Sequence, residues 1–549
     1  AALIALGGTG NDTILAGAGA DSLDGGLGND NLAGGAGNDT IVGGGGADTL
    51  DGGKGVDTVS YAASASGVTV DLLANVNSGG DANGDSLTGF ENIVGSASND
   101  KLTGDGLANV IDGGAGQDTI DGGGGIDTVT YALSAAGVTV NLATNVNTGG
   151  DAASDSLSNV ENVIGSALND SLTGDTNANA LDGGAGNDTL DGGAGIANDS
   201  LSGGDGDDSL SASGGGADTI AAGAGDDTID MGAALSADDR IDGGDGKDTV
   251  LLAGDYATTP FVFKSTTAIN IEQITLADGN SYNLKLDNAT NTAGLTVDGS
   301  ALTGGNALTL NGSAETKFAL TATGGAANDS ILGGAGNDVF EGGAGADSLT
   351  GGAGVDTASY SGSTLGVTVS LLLTGAQVSA GDANGDVLTT IENLTGSGHD
   401  DALTGNKGAN LLDGSVGNDT LNGGEGNDTL VGGAGADSLD GGAGLDVASY
   451  AASASAVTVD LENNANNAGG DAVGDVLTNV EGITGSAGND DLRGDGYGNI
   501  LSGGAGNDTI TGNCGNDTLD GGDGDDEFLV GADFTALDRI IGGAGIDTL

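Results

Sequence analysis

Tryptophan is absent from this 549-residue sequence, proline and cysteine occur once each, and Phe and Tyr number seven apiece. With 115 glycines beside so few aromatics, this is not the composition of an ordinary set of globular domains. A single cysteine, Cys514, excludes an intramolecular disulfide, so a secreted chain of this kind needs another staple, and metal is the obvious substitute. Cys514 itself lies in GNCGND, where a solvent-facing variable position is expected. Basic residues are nearly as scarce: 10 Lys and Arg face 80 Asp and Glu, for a formal net charge of −70. That balance excludes nucleic acid and anionic membrane surfaces as direct partners and points to a cation. No stretch approaches the ~18 apolar residues of a membrane span, so membrane insertion is not expected. The opening AALIALGG is too short, and lacks the basic flank, for a signal peptide. The chain begins without Met and ends at GGAGIDTL, inside a repeat, and is read as a processed or ordered portion of something longer.

High net charge with few aromatics is the signature of disorder. Against it, the 37% of hydrophobic residues are not scattered but recur at a fixed spacing. From Gly7 to Ser60 the sequence reads GGTGNDTIL, AGAGADSLD, GGLGNDNLA, GGAGNDTIV, GGGGADTLD and GGKGVDTVS, a period of nine. Each unit has a Gly-rich opening, an Asp at the sixth place and an apolar residue at the eighth, here Ile14, Leu23, Leu32, Ile41, Leu50 and Val59.

Glycines at the first, second and fourth places permit positive φ and close backbone approach, so GGxG is expected to be a tight turn with exposed carbonyls. The residues after the Asp form a short strand whose eighth-place side chain points inward. One nonapeptide is then half of a flattened coil and two make a turn, which places Asp12 over Asp30 and Asp21 over Asp39. Carboxylates stacked at the ~4.8 Å strand spacing repel strongly unless a cation lies between them. Ligands that are all oxygen, from carboxylates and turn carbonyls, select calcium over zinc or copper.

The motif GGxGxDxUx resembles the RTX, or hemolysin-type, calcium-binding repeat. The resemblance implies an all-β fold, a right-handed parallel β-roll or β-solenoid with calcium in its GGxGxD turns. It also implies that sixth-place Asp residues and turn carbonyls hold Ca2+ between successive coils, roughly one ion per nonapeptide. The matching positions are Asp12, Asp21, Asp30, Asp39, Asp48, Asp57, Asp100, Asp118, Asp127, Asp170, Asp188, Asp199, Asp208, Asp218 and Asp227. They continue with Asp248, Asp329, Asp338, Asp347, Asp356, Asp401, Asp419, Asp428, Asp437, Asp446, Asp490, Asp508, Asp517, Asp526 and Asp547.

Repeat arrays occupy residues 1–60, 95–130, 165–251, 324–359, 396–449 and 485–549. Spacers at 61–94, 131–164, 360–395 and 450–484 open YAASASGVTVDL, YALSAAGVTVNL, YSGSTLGVTVSL and YAASASAVTVDL, and close near FENIVGS, VENVIGS, IENLTGS and VEGITGS. At close to four nonapeptides each, they are expected to continue the coil through about two turns. Tyr61, Tyr131, Tyr360 and Tyr450 are read as core or edge plugs. Glu91, Glu161, Glu392 and Glu481 are read as either ligands or a stacked polar ladder. Residues 252–323, with the lone Pro260, depart most from the pattern and are expected to form a calcium-poor β-solenoid or small β-domain. A continuous coil would be an elongated rod on the order of 140 Å long.

One inward aliphatic residue per half-turn is a thin core, while ordering each residue costs ~1–2 kcal/mol and glycine costs most. Roughly 25 calcium ions would offset about 50 of the negative charges and couple binding to folding. Extracellular calcium modules work near roughly 10⁻⁴–10⁻³ M, so the chain is expected to be unfolded inside the cell and rigid outside it. The resemblance implies type I secretion from a Gram-negative bacterium. The first expected function is an extracellular structural protein: a surface layer, matrix filament or adhesin shaft. It would self-assemble or meet cell-surface polysaccharide. The alternative is a secretion and folding module of a larger exoprotein, such as a protease, lipase, toxin or polysaccharide-modifying enzyme. Catalysis within these residues is not expected: His399, the sole histidine, lies in GSGHDDALT at a repeat turn, and no nucleophile pattern accompanies it.

Overall fold

In a computed structural model, residues 2–287, 294–530 and 535–549 are described. Residues 288–293 of the divergent segment, residues 531–534 of the last array and Ala1 lie outside the described residues. The chain divides into two compact units, Ala1–Gly254 with Lys264–Gln273, and Asp255–Phe263 with Ile274–Leu549. Each is a parallel β-solenoid in which successive strands alternate between two faces.

In the first array each turn spans two nonapeptides: Ile4 pairs with Ser22, Ser22 with Thr40 and Thr40 with Thr58 on one face, and Thr13 with Asn31 and Asn31 with Thr49 on the other. The eighth-place residues Leu23, Leu32, Ile41, Leu50 and Val59 are fully buried, and their Thr, Ser and Asn neighbours face outward. Side-chain alternation in a short strand does this without help from long-range contacts.

Several strands run longer than the motif suggests. Ser22–Leu27, Asn31–Ala36, Thr40–Gly45 and Thr49–Lys54 pass straight through the paired glycines, with Gly8, Gly26 and Gly44 in register. The third-place carbonyls of the turns are therefore taken up in bonds between rungs. Gly10 N–H donates to Leu27 O at 2.6 Å and Gly28 N–H to Gly45 O at 2.9 Å, which ties turn to turn. Gly26, at φ +91°, shows why the second place is glycine: a Cβ there would collide with the Gly8 carbonyl of the rung beneath.

The spacers do not make two turns. Across them one face advances by a single enlarged rung: Thr58 pairs with Asn92, Thr128 with Asn162, Thr357 with Asn393 and Val447 with Gly482. On the other face each spacer contributes two strands that join different sheets. In the first, Ser86–Thr88 completes the sheet behind it by pairing with Thr49–Lys54, while Thr69–Asp71, earlier in the chain, starts the sheet ahead by pairing with Lys101–Thr103. The other three spacers repeat this inversion, so the face they interrupt is cut into separate sheets.

In the divergent segment the turns lengthen, with Leu295 paired to Leu320 on one face and Tyr282 to Leu308 on the other. Larger side chains fill them: Phe263, Tyr282, Leu284 and Leu286 are buried.

Candidate metal centre

The sixth-place aspartates form vertical ladders. Asp12 N–H donates to Asp30 Oδ1 at 2.7 Å, Asp30 N–H to Asp48 Oδ1 at 2.7 Å, and Asp48 N–H to Asp85 Oδ1 at 2.8 Å. The opposite line runs from Asp21 through Asp39 and Asp57 to Glu91. Stacked carboxylates are thus kept apart by a main-chain donor, a contact the repulsion argument did not foresee. The ladder bond uses one carboxylate oxygen, and at many array rungs the other is left over.

All thirty aspartates read from the motif lie in such ladders. Asp100 and Asp118 lead to Asp155, and Asp127 leads to Glu161. Asp170, Asp188, Asp208, Asp227 and Asp248 lead to Glu272, while Asp199 and Asp218 lead to Asp239. Asp329 and Asp347 lead to Asp386, and Asp338 and Asp356 to Glu392. Asp401, Asp419 and Asp437 lead to Asp475, and Asp428 and Asp446 to Glu481. Asp490, Asp508, Asp526 and Asp547 form one further line, and Asp517 reaches Asp538.

The left-over oxygen is what marks a cation site. Oδ2 of Asp30, Asp39, Asp48, Asp57, Asp188 and Asp227, among others, is buried with no hydrogen-bond partner. An orphaned, ionised oxygen away from water costs several kcal/mol and demands a cation or a proton. Beside it lie main-chain carbonyls. A Cβ built on Gly7 would sit 2.8 Å from Asp12 Oδ2 and 2.5 Å from the Gly25 carbonyl of the next rung, so the first-place glycine is the residue that lets carboxylate and carbonyl converge. Among the described residues no three Asp, Glu, His or Cys side chains gather at one point. A cation here would therefore be held by one or two carboxylates completed by carbonyls, an all-oxygen set suited to calcium. The residues present fit that ion.

The electrostatics agree. Burial pushes the carboxyls of Asp118, Asp188, Asp227, Asp347, Asp419 and Asp437 up to about 7, against the lowering effect of the N–H bond each accepts, with neighbouring aspartates adding to the rise.

The spacer residues find defined places. Glu91, Glu161, Glu392 and Glu481 each accept the N–H of the last aspartate in a ladder, at 2.8 to 3.0 Å, which is the polar-ladder reading. Tyr61, Tyr131, Tyr360 and Tyr450 are buried, and each hydroxyl donates to a spacer aspartate, Asp85, Asp155, Asp386 or Asp475. Those four aspartates were missed because they fall outside the nonapeptide; their common spacing of 24 to 26 residues from the Tyr was the available signal. Asn109, Asn179, Asn410 and Asn499, which occupy sixth places and begin ladders, were missed because only Asp was sought there. His399 and Cys514 are both exposed.

A family model described as the RTX calcium-binding nonapeptide repeat matches residues 4–32, 24–59, 86–106, 94–129, 164–197, 197–215, 212–234, 230–255, 323–358, 395–430, 413–448 and 493–528, more than half of the chain. No curated protein matches the chain.

Proposed function

Because the chain belongs to the RTX calcium-binding nonapeptide repeat family, we propose that it is an extracellular structural protein whose β-solenoid is made rigid by calcium, as a surface layer, matrix filament or adhesin shaft. The observation that carries this reading is the series of buried, partnerless Oδ2 atoms repeated rung after rung. A single such atom could belong to a local site. A series that recurs in every array makes the metal a structural component of the coil.

Calcium, when bound, supplies positive charge and a shared oxygen coordination shell. Everything else is done by the chain. Oδ1 of a ladder aspartate holds the preceding rung in register by accepting its main-chain N–H, as Asp57 Oδ1 accepts from Asp39 at 2.7 Å. Oδ2 is thereby turned toward the carbonyls of the glycine turn. The sixth-place aspartates of the arrays are the proposed ligands as a class, foremost those whose Oδ2 is buried without a partner. With a formal charge of −70, a metal-free chain resists compaction, and the calcium-poor cell interior keeps it that way until export. The role is mechanical and not catalytic: the exposed His399 lies at a turn, its N–H bonded to Ser397 Oγ at 3.1 Å.

The test is electron microscopy and circular dichroism of the purified chain with calcium and with EGTA. Fibres or sheets in calcium, dissolving with loss of the β signal in EGTA, are expected. Dispersed single particles in calcium would remove the assembly role, and a full β signal after exhaustive chelation would remove calcium dependence.

A further inference from the structure

We propose that the spacers are metal-free rungs: at each one the chain's own side chains occupy the gap that calcium fills in the arrays, so the ions are bound in separate blocks and not along one uninterrupted line. This rests on the calcium reading above and adds to it where the ions stop.

Three closures recur at all four spacers, the first within the spacer and the other two in the units that follow it. The first is the tyrosine hydroxyl. Asp85 ends a ladder, yet its Oδ2 is not left over, because Tyr61 donates to it at 3.0 Å; Tyr131 does the same for Asp155 at 3.0 Å, Tyr360 for Asp386 at 3.1 Å and Tyr450 for Asp475 at 2.8 Å. The second is a serine at the second place of the following unit. Ser96 N–H donates to Asp100 Oδ2 at 2.5 Å and its hydroxyl to Oδ1 at 3.0 Å. Ser166, Ser397 and Ser486 close Asp170, Asp401 and Asp490 in the same way.

The third closure is the most telling. In the next unit the sixth place is Asn, and its amide nitrogen donates to the main-chain carbonyl of the spacer glutamate one rung back: Asn109 to Glu91 O at 2.7 Å, Asn179 to Glu161 O at 2.7 Å, Asn410 to Glu392 O at 2.6 Å and Asn499 to Glu481 O at 3.3 Å. An –NH2 group offers no lone pair to a metal, presents positive partial charge, and takes up the carbonyl a cation would need. Its Oδ1 meanwhile accepts the second-place N–H, from Asp105 at 2.8 Å in the first copy. The contrast with the arrays is direct. Among the described residues, the buried oxygens without partners include those of Asp30, Asp39, Asp48 and Asp57 before the first spacer and Asp118 and Asp127 after it, but none from Asp85, Asp100 or Asn109 between them.

Rungs closed by protein groups should keep their register without metal. Each spacer is then a fixed point from which an array orders when calcium arrives, and the arrays bind as blocks.

The test is a gain of metal. The full chain carrying Asn109→Asp, Asn179→Asp, Asn410→Asp and Asn499→Asp is dialysed against calcium, and bound calcium per chain is measured by atomic emission beside the unsubstituted chain. About four additional ions are expected, one per rung converted to the array form. An unchanged or lower count, in a variant with the unsubstituted β signal in saturating calcium, overturns the proposal. Should the variant not fold, hydrogen exchange on the unsubstituted chain during stepwise chelation decides. Amides within 61–112 and 450–499 are expected to exchange at least tenfold more slowly than those of 21–54 once the arrays open, and simultaneous loss of protection overturns the proposal. Failure of the underlying reading looks different, since an unsubstituted chain that retains no calcium at all removes that reading as well.

Discussion

A turn of the first array and a turn of the divergent segment solve the same problem with different materials. The array turn spans two nonapeptides and buries one aliphatic side chain per half, as with Leu23 and Leu32. The divergent turn is longer, running from Leu295 to its partner Leu320, and buries Leu295, Val297, Leu302, Leu308 and Leu310. At ~1.5–3 kcal/mol for each fully buried aliphatic side chain, the second turn sets far more hydrophobic burial against the entropy of ordering it. The acid ladder goes with the thin core: where Leu308 and Leu320 take the positions of sixth-place aspartates, their N–H groups still donate to Asp329 and Asp338, but no carboxylate stands there. On the proposed calcium reading, the coil is held by metal in its short turns and by apolar packing in its long ones.

The comparison is broken most severely if protons cannot substitute for metal in the arrays. The raised carboxyls of Asp118, Asp188, Asp227, Asp347, Asp419 and Asp437 titrate near about 7 in the folded chain, against an ordinary value of 3.8. The folded state therefore binds more protons than the unfolded state between those values. Its stability without metal is fullest below the ordinary value and is lost as pH rises through about 7. In EGTA, lowering pH from 8 to 5 should restore much of the array β signal, whereas in calcium the same acidification should weaken binding, since the ligands must be ionised. Circular dichroism across that range, with hydrogen exchange to separate array from divergent peptides, checks it. Arrays that stay unfolded at pH 5 without metal would show that charge neutralisation alone does not hold a short turn.

A smaller effect is expected at a buried carboxyl of the divergent turns. Glu315 is buried, both its carboxylate oxygens lack partners, and burial pushes its carboxyl up to about 7, with Asp287 and Asp338 adding to the rise. Leu302 occupies the equivalent corner: its N–H donates to Gly299 O as that of Glu315 donates to Gly312 O. Glu315→Leu should stabilise the segment by roughly 2 kcal/mol at pH 8 and by much less at pH 5, where the glutamate is already protonated. Urea unfolding at the two pH values measures it. Destabilisation at pH 8 would mean that the carboxylate holds something the apolar reading of these turns leaves out.

Much of this was legible beforehand, because a repeat writes its geometry locally. The nine-residue period placed every one of the thirty aspartates in a ladder, and eighth-place residues such as Leu23, Leu32, Ile41 and Leu50 fall in the core. The donor set chose the ion. The ladder N–H bond was not legible, since stacking at strand spacing says nothing about which oxygen meets the neighbouring main chain. The spacers were misjudged for a topological reason. Thr69–Asp71 precedes Ser86–Thr88 in the chain but belongs to the sheet ahead of it, and an exchange of order between two short strands leaves no local trace in composition or alternation. Tyr61 was recognised as a plug, but its partner Asp85 lies 24 residues on, beyond the reach of a nine-residue pattern.

The smallest expected effect comes from the one place where a side-chain ammonium bridges two rungs of an array among the described residues. Lys407 Nζ lies 3.1 Å from Glu425 Oε1, one 18-residue turn away, with side chains 75% and 66% exposed. It resembles the proposed calcium link in joining a cation to successive rungs, and differs in being wet. Exposed pairs of this kind contribute between zero and about 1 kcal/mol and are screened by salt. Lys407→Met should therefore leave the calcium midpoint of folding unchanged and shift the thermal midpoint of the calcium-loaded chain by no more than about 1 °C. Loss of the metal from one buried gap leaves a desolvated carboxylate oxygen unanswered, as at Asp428 Oδ2 in the neighbouring rungs. A calcium midpoint that moved with Lys407 would place the cross-rung attraction at the surface, where solvent should have removed it, and the burial of Oδ2 would no longer distinguish the array turn.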